Sequence, residues 1–280
     1  MIKIYRDHDD YVLQNLNRTI RVQGFSLDAL FQSTDPVAFL KHFLDSADFE
    51  SLQPSVVSGE NPWLPPIENQ EIWAAGVTYM RSRSARMEES EQSGGDHFYD
   101  LVYDAQRPEL FFKSTGLRAR GHLAPVRIRQ DSAWNVPEPE LTLAINSEGH
   151  IFGYTIGNDM SSRSIEGENP LYLPQAKIYR GSCAIGPCLV VGNTLTLETK
   201  ISITITRQSK VEFQGDTSVS QLKRSFDELA EYLYRENEFP CGAYLMTGTG
   251  IVPDAGFTLQ SGDHIQIQIA GLGVLENEVE

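Results

Sequence analysis

Val136-Pro137-Glu138-Pro139-Glu140-Leu141 opens the stretch on which both fold and chemistry turn. An apolar run to Ile145 follows, then Ser147-Glu148-Gly149, a second apolar run from Ile151 to Ile156, and Gly157-Asn158-Asp159. Two short apolar runs joined by a glycine-containing turn spell a β-hairpin. Alternate residues of an extended strand share a face, so Glu138 and Glu140 point the same way. Asp159 closes the second run, and an antiparallel return brings it back beside the glutamates. Three carboxylates with room for water suit a hard divalent ion, Mg²⁺ or equally Mn²⁺. Pro137 and Pro139 remove two ladder donors and mark an irregular strand start. Downstream, Lys177 stands between Leu171-Tyr172-Leu173-Pro174-Gln175-Ala176 and Ile178-Tyr179. Such neighbours partly bury an amine, and a part-buried amine beside a metal site is suited to acid–base work. Taken singly each residue also has a bland reading. Strand-face glutamates usually meet solvent, and the aspartate of Gly-Asn-Asp is often a turn residue.

Working outward, the chain after about residue 66 reads as β-rich. Strand candidates are Glu71 to Tyr79, Pro108 to Ser114, Val126 to Arg129, Leu189 to Val191, Leu195 to Leu197, Ile201 to Ile205, Lys210 to Phe213, Tyr244 to Met246 and His264 to Ile269. Gln221 to Glu236 carries Leu222, Phe226, Leu229 and Leu233 at helical spacing. Residues 1–66 read as a small N-terminal α/β domain, with helices near Leu27 to Leu30 and Pro36 to Leu44. Asn61-Pro62-Trp63-Leu64-Pro65-Pro66 serves as its linker to a catalytic domain over 67–280. The fold class is α+β, dominated by strands.

Composition narrows the function. The 280 residues carry 23 basic and 38 acidic side chains, a net charge of −15, which disfavours nucleic acid and anionic membranes as partners. No segment approaches 18 uninterrupted apolar residues, and no signal-peptide core follows Met1, so a cytoplasmic protein is expected. Cys183, Cys188 and Cys241 fit neither a zinc site nor a disulfide framework. Cys183 and Cys188 sit in an apolar run and read as buried thiols. The histidines show no metal-binding spacing, and His97 is the one near the basic segment. An anionic substrate needs a local basic patch, which Arg81-Ser82-Arg83-Ser84-Ala85-Arg86 supplies. Gly94-Gly95 after it is consistent with a mobile lid.

Several motifs occur in order: Glu138-x-Glu140, Gly153 through Arg163, Lys177, Gly186-Pro187-Cys188-Leu189-Val190, Leu245-Met246-Thr247-Gly248-Thr249-Gly250, and Gly262-Asp263 through Gly271-Leu272-Gly273. As a set they resemble the fumarylacetoacetate hydrolase superfamily over roughly residues 71–280. The resemblance implies a mixed β-roll or sandwich catalytic domain and Mg²⁺ (or Mn²⁺) held by Glu138, Glu140 and Asp159. It implies a small anionic 2-oxo acid as substrate, and a homo-oligomer, dimer or tetramer. The water-activating histidine found after the first strand of the hydrolases is missing, since Ser82 and Ala85 follow Tyr79 at those places. Gly76 through Arg83, Pro108 through Lys113 and Gly248-Thr249-Gly250 are instead similar to the superfamily's dehydratases of 2-keto-3-deoxy-pentonates. By that resemblance Lys177 and Glu109 are acid/base groups, and Arg81, Ser82, Arg83 and Thr249 bind substrate. The expected reaction takes 2-keto-3-deoxy-D-arabinonate or -xylonate to 2,5-dioxopentanoate. The alternatives are hydrolysis of an acylpyruvate or other diketo acid, with His97 in place of the missing dyad, and decarboxylation of a 2-oxo acid.

Overall fold

A computed structural model describes residues 1–16, 18–46, 49–53, 57, 59–82, 84, 101–192 and 195–280. The opening hairpin forms as β8 (Pro139–Ile145) and β9 (Ile151–Asp159), antiparallel, with Glu140 opposite Gly157 and Leu141 opposite Ile156. Around it a ten-stranded sheet is assembled. On one flank stand β11 (Cys183–Val191) and then β1 (Ile2–Asp7), β2 (Asp10–Gln14), β3 (Thr19–Val22) and β4 (Glu50–Leu52). On the other stand β14 (Ala243–Met246), β5 (Glu71–Gly76) and β6 (Glu109–Thr115). The β14–β5 pair is parallel, and the other pairs are antiparallel.

A four-stranded sheet packs on one face of this frame, in the order β13 (Lys210–Ser218), β12 (Lys200–Arg207), β15 (His264–Ile269), β16 (Gly273–Glu278). Strict alternation in β15 buries Ile265, Ile267 and Ile269 against Ile201, Ile203 and Ile205, while Gln266 and Gln268 face out. Leu141, Ile156 and Val190 close this core from the large sheet. On the opposite face, Leu27, Leu30 and Phe31 of α1 (Leu27–Gln32) and Leu40 of α2 (Pro36–Ser46) pack on Ile4, Ile20, Ala144 and Met246. Ser26 caps α1, its hydroxyl accepting from the Ala29 amide.

The strands of residues 1–66 join the central sheet through the antiparallel β1–β11 ladder, Ile4 facing Leu189. Several expectations need correction. Leu195 to Leu197 is not a strand. The Thr199 amide bonds back to Thr196 O at 3.0 Å and turns the chain there. Val126 to Arg129 contributes only a bridge, Val126 to Val279. The helix expected from Gln221 begins instead at Phe226. There the Ser225 hydroxyl accepts from the Glu228 amide and fixes the first turn. No described helix is long and apolar enough to cross a membrane. Cys183 and Cys188 are buried, and burial pushes both thiols up to about 12.

Candidate active site

The carboxylates converge where β8 begins and β9 ends. The Asp159 amide donates to Glu138 O at 3.0 Å, which locks the two strand ends together. Glu138, Glu140 and Asp159 then share one face, each buried, each offering an oxygen within 4.8 Å of the others. The strand β14 delivers the fourth side. Its continuation, Thr247-Gly248-Thr249, turns at Gly248 with φ +91°, and the Gly248 amide donates to Glu140 Oε2 at 2.6 Å. A Cβ at Gly248 would fall 1.9 Å from Thr78 Oγ1, whose hydroxyl donates to Thr247 O at 2.7 Å. Gly248→Ala is therefore expected to destabilise the fold by about 1–3 kcal/mol through strain at a positive φ. It should also weaken Mg²⁺ binding by releasing Glu140, which thermal melts with and without Mg²⁺ would measure.

Three buried cations answer the carboxylates. Lys177, at the end of α4 (Leu173–Lys177), bonds to Glu138 and stands 3.1 Å from Asp159. Lys113 of β6 pairs with Asp159 and donates to Met160 O at 3.0 Å and Lys177 O at 2.6 Å. Arg163, opening α3 (Arg163–Glu168), pairs with Glu138 and lies 4.0 Å from the fully buried Glu166. Glu166 in turn accepts from the Ser161 hydroxyl at 2.9 Å in the short strand β10 (Ser161–Ser162). β10 is held by β7 (Asn135–Val136). All three cations therefore serve Glu138 and Asp159. Glu140 has no ion pair among the described residues. Burial, then the charges of Asp159 and Glu138, push its carboxyl well above the usual carboxylate range. The donor set is all oxygen and buried, and Glu140 is left without a cation partner among the described residues, which fits Mg²⁺ or Mn²⁺.

A narrow cleft opens over the carboxylates, walled by Gly76, Val77, Ser82, Phe111, Gly248, Thr249 and Lys177. Glu109 stands at its edge, opposite Gly76 across the β5–β6 ladder. Its carboxylate occupies the space a side chain at residue 76 would need, since a Cβ there would lie 2.0 Å from Glu109 Oε2. Val77 is held at φ +52°, a strained conformation for a β-branched residue. The Phe111 ring faces Lys177 Nζ at 5.8 Å. A wider surface hollow between Ile151, Leu195 and Phe226 gathers no comparable cluster among the described residues.

Of the residues expected from the sequence, Glu138, Glu140, Asp159, Lys177, Ser82 and Thr249 meet in this cleft, with Glu109 at the rim. Ser82 Oγ donates to Tyr79 O at 2.8 Å and accepts from the Tyr79 amide at 3.1 Å. Thr249 Oγ1 likewise donates to Ile251 O and accepts from its amide, both at 3.1 Å. Arg81 does not line the cleft; its guanidinium reaches Asp254 at 3.2 Å. Arg83, Arg86, Gly94-Gly95 and His97 lie outside the described residues. Sequence reasoning missed Lys113 and Arg163 as charge partners. A lysine directly after the apolar run Leu110-Phe111-Phe112, within the same strand, was the available signal for the first.

Residues 100–280 match the model of the fumarylacetoacetate (FAA) hydrolase C-terminal family. A probable 2-keto-3-deoxyxylonate dehydratase of Haloferax volcanii is 50% identical over 216 residues, 76% of this chain and 73% of the relative. The 2-dehydro-3-deoxy-D-arabinonate dehydratase of Saccharolobus solfataricus is 36% identical over 288 residues, 100% of this chain and 97% of the relative. A solved structure of 2-keto-3-deoxy-D-arabinonate dehydratase, complexed with magnesium and 2,5-dioxopentanoate, superposes with a TM-score of 0.82 at 32% identity, covering 100% and 98% of the two chains. The family match spans more than half the chain and is joined by relatives aligned across its length, so this protein belongs to the fumarylacetoacetate hydrolase family.

Proposed function

We propose that the chain is a Mg²⁺-dependent dehydratase that converts 2-keto-3-deoxy-D-arabinonate to 2,5-dioxopentanoate and water. In the D series the arabinonate and xylonate names denote one compound. Loss of the C2 and C3 stereocentres leaves only C4, which the two sugars share. The observation that carries the reading is Glu140, buried beside two ion-paired carboxylates and itself without an ion pair among the described residues. Glu138, Glu140 and Asp159 would hold the cation. When bound, it supplies Lewis-acid polarisation of a 2-oxo acid.

The protein's own groups then move protons. Lys177 and Glu109 are the acid/base pair: one takes a proton from C3 and the other protonates the departing C4 hydroxyl. Water leaves, giving a C3=C4 enone; loss of a C5 proton and return of a proton to C3 move the double bond to C4=C5, and that enol tautomerises to the C5 aldehyde. Ser82 and Thr249 each keep one hydroxyl lone pair open after their backbone bonds, so they accept hydrogen bonds from substrate hydroxyls. Arg83 binds the substrate's negative charge, and Arg81, outside the cleft, adds long-range attraction against a chain of net charge −15.

The test is a substrate panel followed by NMR. With Mg²⁺, 2-keto-3-deoxy-D-arabinonate should give the C5 aldehyde, while acylpyruvates and oxaloacetate stay intact. Cleavage of the acylpyruvate with no aldehyde would make the protein a hydrolase, and release of CO₂ a decarboxylase. The same reading makes the enzyme a cytoplasmic homo-oligomer, dimer or tetramer. Three free cysteines suit a reducing compartment. Light scattering that returned a monomer at working concentration would count against the assembly.

A further inference from the structure

We propose that Arg224 is a positioning residue that sets the approach of Glu109 to the cleft. The inference rests on reading Glu109 as an acid/base group. Arg224 lies far from the carboxylates in sequence and touches none of them. It is 8% exposed, an unusual degree of burial for an arginine outside a site. Its guanidinium fork grips the chain just before β6. Nη2 donates to Ala105 O at 2.6 Å and Val102 O at 3.4 Å, and Nη1 to Gln106 O at 3.2 Å. The fork is itself held by Glu228, 2.6 Å from Nη1 on the first turn of α5 (Phe226–Tyr234). The neighbouring Lys223 ammonium adds Tyr103 O at 2.6 Å and pairs with Asp104.

These carbonyls belong to the helical turn at residues 101–104 and the bend behind it. A cation there is favoured, because the last carbonyls of a helical turn carry partial negative charge. Only Arg107 and Pro108 separate the gripped bend from Glu109. Proline has a fixed φ, so the bend's position is passed on to the strand start with little slack. The two residues just before Arg224, Leu222 and Lys223, grip the cleft's other wall. Leu222 bridges to Tyr79, and the Lys223 amide donates to Thr78 O at 3.0 Å. Thr78 in turn bonds to Thr247 O, beside the Gly248 amide that holds Glu140. Residues 222–224 thus clamp the backbone leading to Glu109 and the backbone opposite it. The gap between Glu109 and the carboxylates is fixed by this clamp rather than by β6 alone.

Arg224→Ala is expected to lower kcat roughly 10- to 100-fold, the scale of an ångström-sized misplacement of a reacting group. The dissociation constant for Mg²⁺ should change by less than about twofold, since no ligand is touched. Arg224→Lys should recover part of the loss, because one ammonium replaces some of the fork's donors. The decisive reading is non-additivity: Arg224→Ala should slow Glu109→Gln no further. A Glu109→Gln variant that turns over like wild type overturns the reading of Glu109 and the proposal with it. A slow Glu109→Gln with an Arg224→Ala that keeps kcat within about twofold overturns the clamp alone, as does a double variant in which both losses multiply. Should Arg224→Ala fail to fold, Arg224→Lys is read against Glu109→Gln by the same criteria.

Discussion

Lys177→Ala is expected to lose about 10³-fold or more in kcat while the protein stays folded with Mg²⁺ bound, near the upper part of the range for a positioned proton carrier. The ammonium is buried, bonds to Glu138 and Asp159, and is the cation nearest the cleft among those with a bound carboxylate partner. Metal binding should survive the change. Arg163 still pairs with Glu138 and Lys113 with Asp159, so neither ligand is left without a counter-charge. Removing a positive charge beside the site should tighten Mg²⁺, because like charges oppose each other at this range. A Mg²⁺ titration by calorimetry, alongside steady-state kinetics, checks both signs. Full turnover in Lys177→Ala with metal bound would remove Lys177 from the chemistry.

Glu140→Gln is expected to abolish the stabilisation that Mg²⁺ confers. A ligand at a hundredfold excess over its dissociation constant adds about 2.7 kcal/mol, which is roughly 4–5 °C in Tm for a chain of this size. The pH dependence follows from the raised carboxyl of Glu140. A raised folded-state pKa means that the folded protein holds the proton more tightly than the unfolded chain. The resulting stability is complete below the ordinary carboxylate range and is lost as pH rises through the folded value. In chelator, wild type should therefore lose stability relative to Glu140→Gln as pH rises above that range. With Mg²⁺ the slope should vanish, because the metal takes the place of the proton, and Mg²⁺ affinity should itself rise with pH. Parallel melts of the two proteins across pH, with and without Mg²⁺, read every one of these signs. A wild-type protein whose Tm is indifferent to Mg²⁺ at all pH values would contradict the site.

The central hairpin and its carboxylates are legible in the sequence because they rest on local rules. Strand period aligns Glu138 with Glu140, and a short turn returns Asp159. What is not legible depends on long-range pairing. The ladder from Ile4 to Leu189 makes residues 1–66 part of the main sheet, and nothing local announces that partner. Lys113 meets Asp159 only because β6 begins where β9 ends, at the cleft. The start of α5 was readable: Ser225 with Glu228 three residues on is a capping pattern, which the apolar spacing from Leu222 obscured. Ser82 and Thr249 show a further limit. Their positions are local to motifs, but the direction of their hydroxyls is set by backbone partners at Tyr79 and Ile251.

The most direct measurement is a single titration. Enzyme stripped by chelator is given 2-keto-3-deoxy-D-arabinonate, and Mg²⁺ is added stepwise while the C5 aldehyde is followed. No aldehyde is expected before metal, and production should then rise to saturation with the same midpoint as the Mg²⁺-dependent rise in Tm. Turnover that persists in excess chelator, or saturating Mg²⁺ that yields no aldehyde, would contradict a metal-dependent dehydratase built on Glu138, Glu140 and Asp159.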